Sequence, residues 1–70
     1  MEKRIRIGEQ IAKKRNGKGL TIRELGERAG VDWSKISKIE NGKANIGIDT
    51  LIKLCESLDC EITLNERVND

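Results

Sequence analysis

Seventy residues with two cysteines, no histidine and no proline make one domain with a modest core, short for a separate ligand-sensing unit and without the donors for a four-ligand zinc site. The net charge of +2 conceals an asymmetry: residues 13–43 carry nine Lys/Arg against four acids, whereas residues 44–70 carry two against six. A basic middle suits a polyanion held on one side, and it equally suits a plain solvated surface.

Ile7, Ile11 and Arg15 recur at i, i+4, i+8, which predicts an amphipathic helix over residues 4–16, ended by Gly17 and Gly19. Thr21 with Glu24 three residues on is a capping box opening a second helix, whose apolar face is Leu25 and Ala29 and whose stop is Gly30. Asp32 caps a third helix with Ile36 and Ile39 inside and Val31 just before it, running to the Asn41-Gly42 break. After a loop, Asp49 caps or opens a fourth helix striped by Leu51, Leu54, Cys55 and Leu58. At that spacing Cys55 reads as a small buried hydrophobe, although a bridge to Cys60 is sterically open in principle.

The period then changes. Cys60, Ile62 and Leu64 alternate with Glu61, Thr63 and Asn65, a strand signature. A lone strand leaves its N–H and C=O groups without partners, so it must pair, most simply with its own copy across a two-fold axis; otherwise it is a frayed chain end. The expected organisation is a mostly α unit of four helices over residues 1–59, followed by a strand and tail over 60–70 serving dimerisation through Cys60, Ile62 and Leu64.

Two short helices joined by a tight glycine turn form a helix-turn-helix. "IGEQIAKKR", "GLTIRELGERAGVDWSKISKIENGK" and "IDTLIKLCESL" together resemble the phage repressor/Cro-type (Xre-like) helix-turn-helix family over residues 7–58. The likeness rests on Arg15, Leu20, Thr21, Leu25, the small Gly26, Gly30, Val31, Ser34, Ile36, Ile39 and the ENGK of 40–43. Several of these residue types have independent physical reasons. Gly26 permits the helices to cross closely at a propensity cost of about 1 kcal/mol against alanine. Leu25, Val31, Ile36 and Ile39 lock the third helix against the second.

That packing leaves Trp33, Ser34, Lys35, Ser37 and Lys38 on the outer side of the third helix, whose width fits a DNA major groove with its N-terminal residues leading. Ser34, Lys35 and Trp33 are the foremost candidate base readers: a lysine donates to guanine O6/N7, and an indole covers a thymine methyl. Ser37 and Lys38 lie one turn on. Thr21, Ile22 and Arg23, at the unpartnered N–H groups opening the second helix, are candidate phosphate contacts, joined by Asn41, Lys43 and Asn45. Each lysine taken singly also reads as solvated surface. Many family members have glutamine at the positions of Ile22 and Trp33; both are apolar here, so no base preference carries over. Trp33, the only aromatic residue, alternatively covers the helix junction. The resemblance further implies a structural ion pair between Arg15 and Glu40.

The implied function is a sequence-specific DNA-binding transcriptional regulator, a repressor acting as a homodimer on a palindromic operator with half-sites about 34 Å apart. The strand after the fourth helix also resembles the arrangement in HipB-like antitoxins, which implies the alternative of an antitoxin that holds a toxin protein and binds its own operator. Catalysis is not expected: there is no histidine, no glycine-rich phosphate loop and no cysteine beside a base, and Glu24 and Glu27 share a solvated face. No cofactor, metal or small-molecule ligand is expected. With no signal peptide and no apolar run near the roughly 18 residues of a membrane span, the expected setting is a reducing cytoplasm with no membrane contact.

Overall fold

A computed structural model describes residues 3–63. Its helices are α1 (Lys3–Gly17), α2 (Ile22–Ala29), α3 (Trp33–Glu40) and α4 (Ile48–Ser57). α3 packs on both α1 and α2, and α4 packs on α2. One core joins them: Ile11, Leu20, Leu25, Ile36, Ile39, Leu54 and Leu58 are buried, one or two apolar residues from each helix plus Leu20 from the first connection and Leu58 just after α4. Ile7, Ile22, Val31, Leu51 and Cys60 pack around its edge.

The helix ends are set by local chemistry. Thr21 Oγ1 accepts from the Glu24 N–H at 3.0 Å and Glu24 Oε1 accepts from the Thr21 N–H at 2.9 Å, so the capping box satisfies two otherwise unpartnered donors. Gly30 ends α2 at φ 69°, a left-handed conformation that a Cβ would disfavour. Asp32 caps α3 by accepting from the Ser34 N–H at 2.9 Å. α4 starts differently from the two readings offered for Asp49: Gly47 is the N-cap and contributes no side-chain hydrogen bond, while Asp49 lies in the first turn, where a carboxylate favours the positive end of the helix dipole. At its other end the Cys60 N–H donates to Cys55 O at 2.8 Å and the Asp59 N–H to Glu56 O at 3.3 Å. With Asp59 at φ 55° this is a Schellman closure.

Two glycines set helix spacing. A Cβ on Gly26 would stand 2.7 Å from Val31 O and 3.4 Å from the Trp33 Cβ. A Cβ on Gly8 would run into the carbonyl oxygens of Ile39 and Glu40, so α1 crosses the end of α3 backbone to backbone.

The expected strand is absent from its described part. Residues 60–63 carry no strand assignment, because a strand exists only through ladder hydrogen bonds and this single chain has no second edge to supply them. Leu64 and Asn65 lie outside the described residues. Cys55 is half-buried and lines, with Ile7, Leu51, Leu58 and Cys60, an apolar groove of about 500 Å3 between α1 and α4. Desolvation pushes its thiol pKa up, reinforced by Cys60. Both cysteines are free thiols. No helix among the described residues is long and apolar enough to cross a membrane.

Candidate nucleic-acid interface

The outer surface of α3 follows from what its inner surface buries. Ile36 is 0% and Ile39 2% exposed, three residues apart and therefore on one side. Trp33, Ser34, Lys35 and Lys38 are exposed in consequence, and Ser37 is half-buried at the edge. The helix is fixed at its far end by charge. Arg15 Nε donates to Glu40 Oε2 at 2.7 Å and Nη2 to Oε1 at 2.9 Å, a two-bond fork. Nη1 donates to Leu20 O at 2.8 Å and to Asn16 Oδ1 at 3.2 Å. The two charged side chains are only 13% and 8% exposed. One guanidinium thus ties α1, the α1–α2 connection and the C-terminus of α3 together, and the hydrogen bond to Glu40 raises its already high pKa.

At the N-terminal end of α3, Ser34 is held by its neighbour. Asp32 Oδ1 accepts from both the Ser34 N–H and the Ser34 hydroxyl, the latter at 2.8 Å. The same contacts, with the backbone bond foremost, lower the Asp32 pKa. With its proton committed, the Ser34 hydroxyl offers lone pairs outward, which suits the amino groups of adenine or cytosine rather than a guanine acceptor.

Trp33 is placed at the helix junction. Its Cβ lies against the space left by Gly26, so the root of the side chain covers the junction. The residue is nevertheless 45% exposed. Arg23 lies over that ring, with Cζ 4.7 Å from the centroid, within cation–π range. One residue expected at a phosphate and one expected at a base are therefore in contact.

The remaining candidate phosphate contacts occupy two places. At the start of α2, Thr21 uses its hydroxyl oxygen as an acceptor for the Glu24 N–H. The N–H groups of Ile22 and Arg23 have no intrahelical acceptor by helix geometry. The Ile22 side chain packs on the core edge, which leaves its backbone N–H as its polar group there. Around the α3–α4 loop, Asn41 Nδ2 donates to Ser37 O at 2.8 Å, Lys43 is exposed, and Asn45 Oδ1 accepts from Arg4 Nη1 at 3.0 Å.

Arg4 and Lys18 make long-range polar contacts that sequence reasoning missed. Arg4 meets Asn45, and Lys18 Nζ meets Asp59 Oδ2 at 2.7 Å, each across 41 positions. Contacts at such separation have no periodic signature. Gly8 was also missed, since its contacts are the carbonyl oxygens of Ile39 and Glu40 on another helix.

A family model described as helix-turn-helix matches residues 11–65, spanning the whole α2–turn–α3 unit. The chain belongs to the Cro/repressor-type helix-turn-helix family. This helix-turn-helix chain is 36% identical over 58 residues to the uncharacterized HTH-type transcriptional regulator y4dL of Sinorhizobium fredii, covering 83% of itself and 30% of that relative. It is 34% identical over 58 residues to the uncharacterized HTH-type regulator YozG of Bacillus subtilis, covering 81% of itself and 64% of that relative. The chain therefore spans less than two thirds of both. In three dimensions it is similar to the restriction-modification controller protein C.AhdI of Aeromonas hydrophila, with a TM-score of 0.82 at 29% identity over 84% of this chain and 89% of that one. The helix-turn-helix is thus present both as a sequence pattern and as a spatial arrangement.

Proposed function

We propose that this protein is a sequence-specific DNA-binding transcriptional regulator of the cytoplasm, a repressor that binds a palindromic operator as a dimer and occludes polymerase. The observation that carries this reading is the pose of α3. Two buried isoleucines and the Arg15–Glu40 fork hold the helix so that Trp33, Ser34, Lys35 and Lys38 stand together on its open side. A helix so held enters a major groove with its N-terminal residues at base edges. Ser37 borders that set. Thr21, the Ile22 N–H, Asn41, Lys43 and Asn45 flank it where the phosphate backbone would pass, and Arg23 stands between the two sets. The two-fold contact draws on Cys60, Ile62 and Leu64, and the exposed Ile48 and Ile52 of α4 offer further apolar surface to it.

The test is titration on the DNA upstream of its own gene, or on a duplex selected from a random library, across a salt series. Affinity should fall steeply with salt, by about 0.9 in log–log slope per neutralised phosphate. The double substitution Lys35→Ala/Lys38→Ala should weaken retention on the selected duplex. Affinity indifferent to salt, or retention untouched by the double substitution, overturns the reading.

A further inference from the structure

We propose that Arg23 reads a guanine beside a thymine covered by Trp33, the two side chains acting as one preformed reader of adjacent base pairs. This rests on the DNA-binding reading above and assigns specificity to a residue outside α3.

Trp33 is the first residue of α3, and leading residues of a groove-entering helix reach the base edges. Its ring is exposed while its root is seated over Gly26, so the indole projects from a fixed point. Arg23, in the first turn of α2, arrives from the neighbouring helix and lays its guanidinium over that ring at 4.7 Å. A guanidinium stacked on an aromatic face spends its face and keeps its edge. Among the described residues Arg23 is paired with this ring and with no carboxylate, so its five N–H donors stay available in a fork. That fork matches guanine O6 and N7, the commonest specific contact in the major groove, and the apolar indole alongside matches the C5 methyl of thymine.

A phosphate anchor needs only a positive charge of adequate reach, which a lysine supplies as a point charge. Stacking on the indole adds what an anchor does not need, a fixed plane. It also restrains a long side chain before binding, which lowers the ordering cost on the DNA. The apolar ring and the cation are adjacent, so the bases they contact must be adjacent too.

The experiment starts with selection from a random duplex library by the full chain. The selected half-site should contain a guanine next to a thymine. In that duplex 7-deazaguanine removes only N7, and deoxyuridine removes only the thymine methyl. Each should lower wild-type affinity roughly 5- to 100-fold, the range of one base contact. Arg23→Lys keeps the charge on an exposed position but loses fork and stacking. It should bind the parent duplex more weakly, become indifferent to 7-deazaguanine, and keep the wild-type salt slope. Trp33→Ala should become indifferent to deoxyuridine and lose part of its sensitivity to 7-deazaguanine. If the wild-type protein tolerates 7-deazaguanine at every guanine, or if Arg23→Lys matches wild type on all duplexes, Arg23 is a phosphate anchor and the inference is overturned alone. A protein that selects no duplex overturns the DNA-binding reading with it.

Discussion

Arg15 illustrates how one side chain can decide the position of a functional helix. Its guanidinium bonds to Glu40, Leu20 O and Asn16, so removing the acceptor charge strands a largely covered cation. A buried pair broken on one side costs about 3–5 kcal/mol; the 13% and 8% exposure here leaves water some access and lowers that to about 2–3 kcal/mol. Glu40→Gln is therefore expected to lower the melting temperature by about 10–20 °C, since 1 kcal/mol moves a domain of this size by roughly 4–8 °C; thermal unfolding by circular dichroism checks it. The capping carboxylates give a second expectation. Bonds from the Thr21 N–H and hydroxyl lower the Glu24 pKa, bonds from Ser34 lower that of Asp32, and Lys18 lowers that of Asp59. A carboxylate whose pKa is lower folded than unfolded makes the unfolded chain bind more protons between the two values. The stabilisation is thus fully present above the ordinary carboxylate range of about 4 and is lost as pH falls through the lower folded values. Melts from pH 7 to 3 should show the decline beginning near pH 4–5. Glu24→Gln, which can still accept the Thr21 N–H, should make that decline shallower.

Helix spacing rests on two glycines, of which the sequence pointed to Gly26 alone. Gly8, Gly17 and Gly26 are all helical, and alanine would raise helix propensity by about 1 kcal/mol at an interior position. Their surroundings reverse the sign at two of them. At Gly17 a Cβ meets nothing within 4 Å, whereas at Gly8 and Gly26 it meets backbone oxygens that cannot turn aside. Gly17→Ala is expected to leave stability unchanged or raise it by about 0.5 kcal/mol. Gly8→Ala and Gly26→Ala should each cost about 1–3 kcal/mol, as overpacking does; urea unfolding of the three variants gives the comparison. The same contrast shows what was legible beforehand. Helix limits were readable to within a residue or two because caps and 3.6-residue periodicity are local, and the outward set on α3 was readable because Ile36 and Ile39 define its opposite. Gly26 was readable because the turn lies only a few residues away. Gly8 was not, because its reason lies at Ile39 and Glu40, on another helix. The Arg4–Asn45 and Lys18–Asp59 contacts and the stacking of Arg23 on Trp33 depend likewise on how helices converge. The alternation at 60–65 is a further case: period 2 marks a segment that can be a strand, a strand additionally needs an edge to pair with, and residues 60–63 carry no strand assignment in the single chain.

Among the described residues two kinds of surface stand out. One carries the cations and donors of α3 and its flanking loops. The other is apolar: the α1–α4 groove, which Ile62 lines at 44% exposure, and Ile48 at 62% and Ile52 at 40% exposure on one side of α4. A single module contacts one half-site, whereas two linked modules convert the second contact into an intramolecular event at high effective concentration, so operator affinity should depend on the apolar surface if that surface joins the modules. Truncation after Cys60 tests this without disturbing the fold: the buried core lies within residues 11–58, and the Cys60 N–H that closes α4 is retained. If residues 61–70 supply the two-fold contact, the truncated chain should sediment as a monomer, melt close to the full chain measured at concentrations where that chain is also monomeric, and bind the operator much more weakly while contacting an isolated half-site as before. If it still sediments as a dimer, the contact lies on α4, and Ile48→Glu/Ile52→Glu in the full chain should then produce the monomer, because a carboxylate buried at an apolar interface has no partner to offset its desolvation. Loss of operator affinity with no change in oligomeric state would contradict the coupling itself and place residues 61–70 in direct contact with DNA.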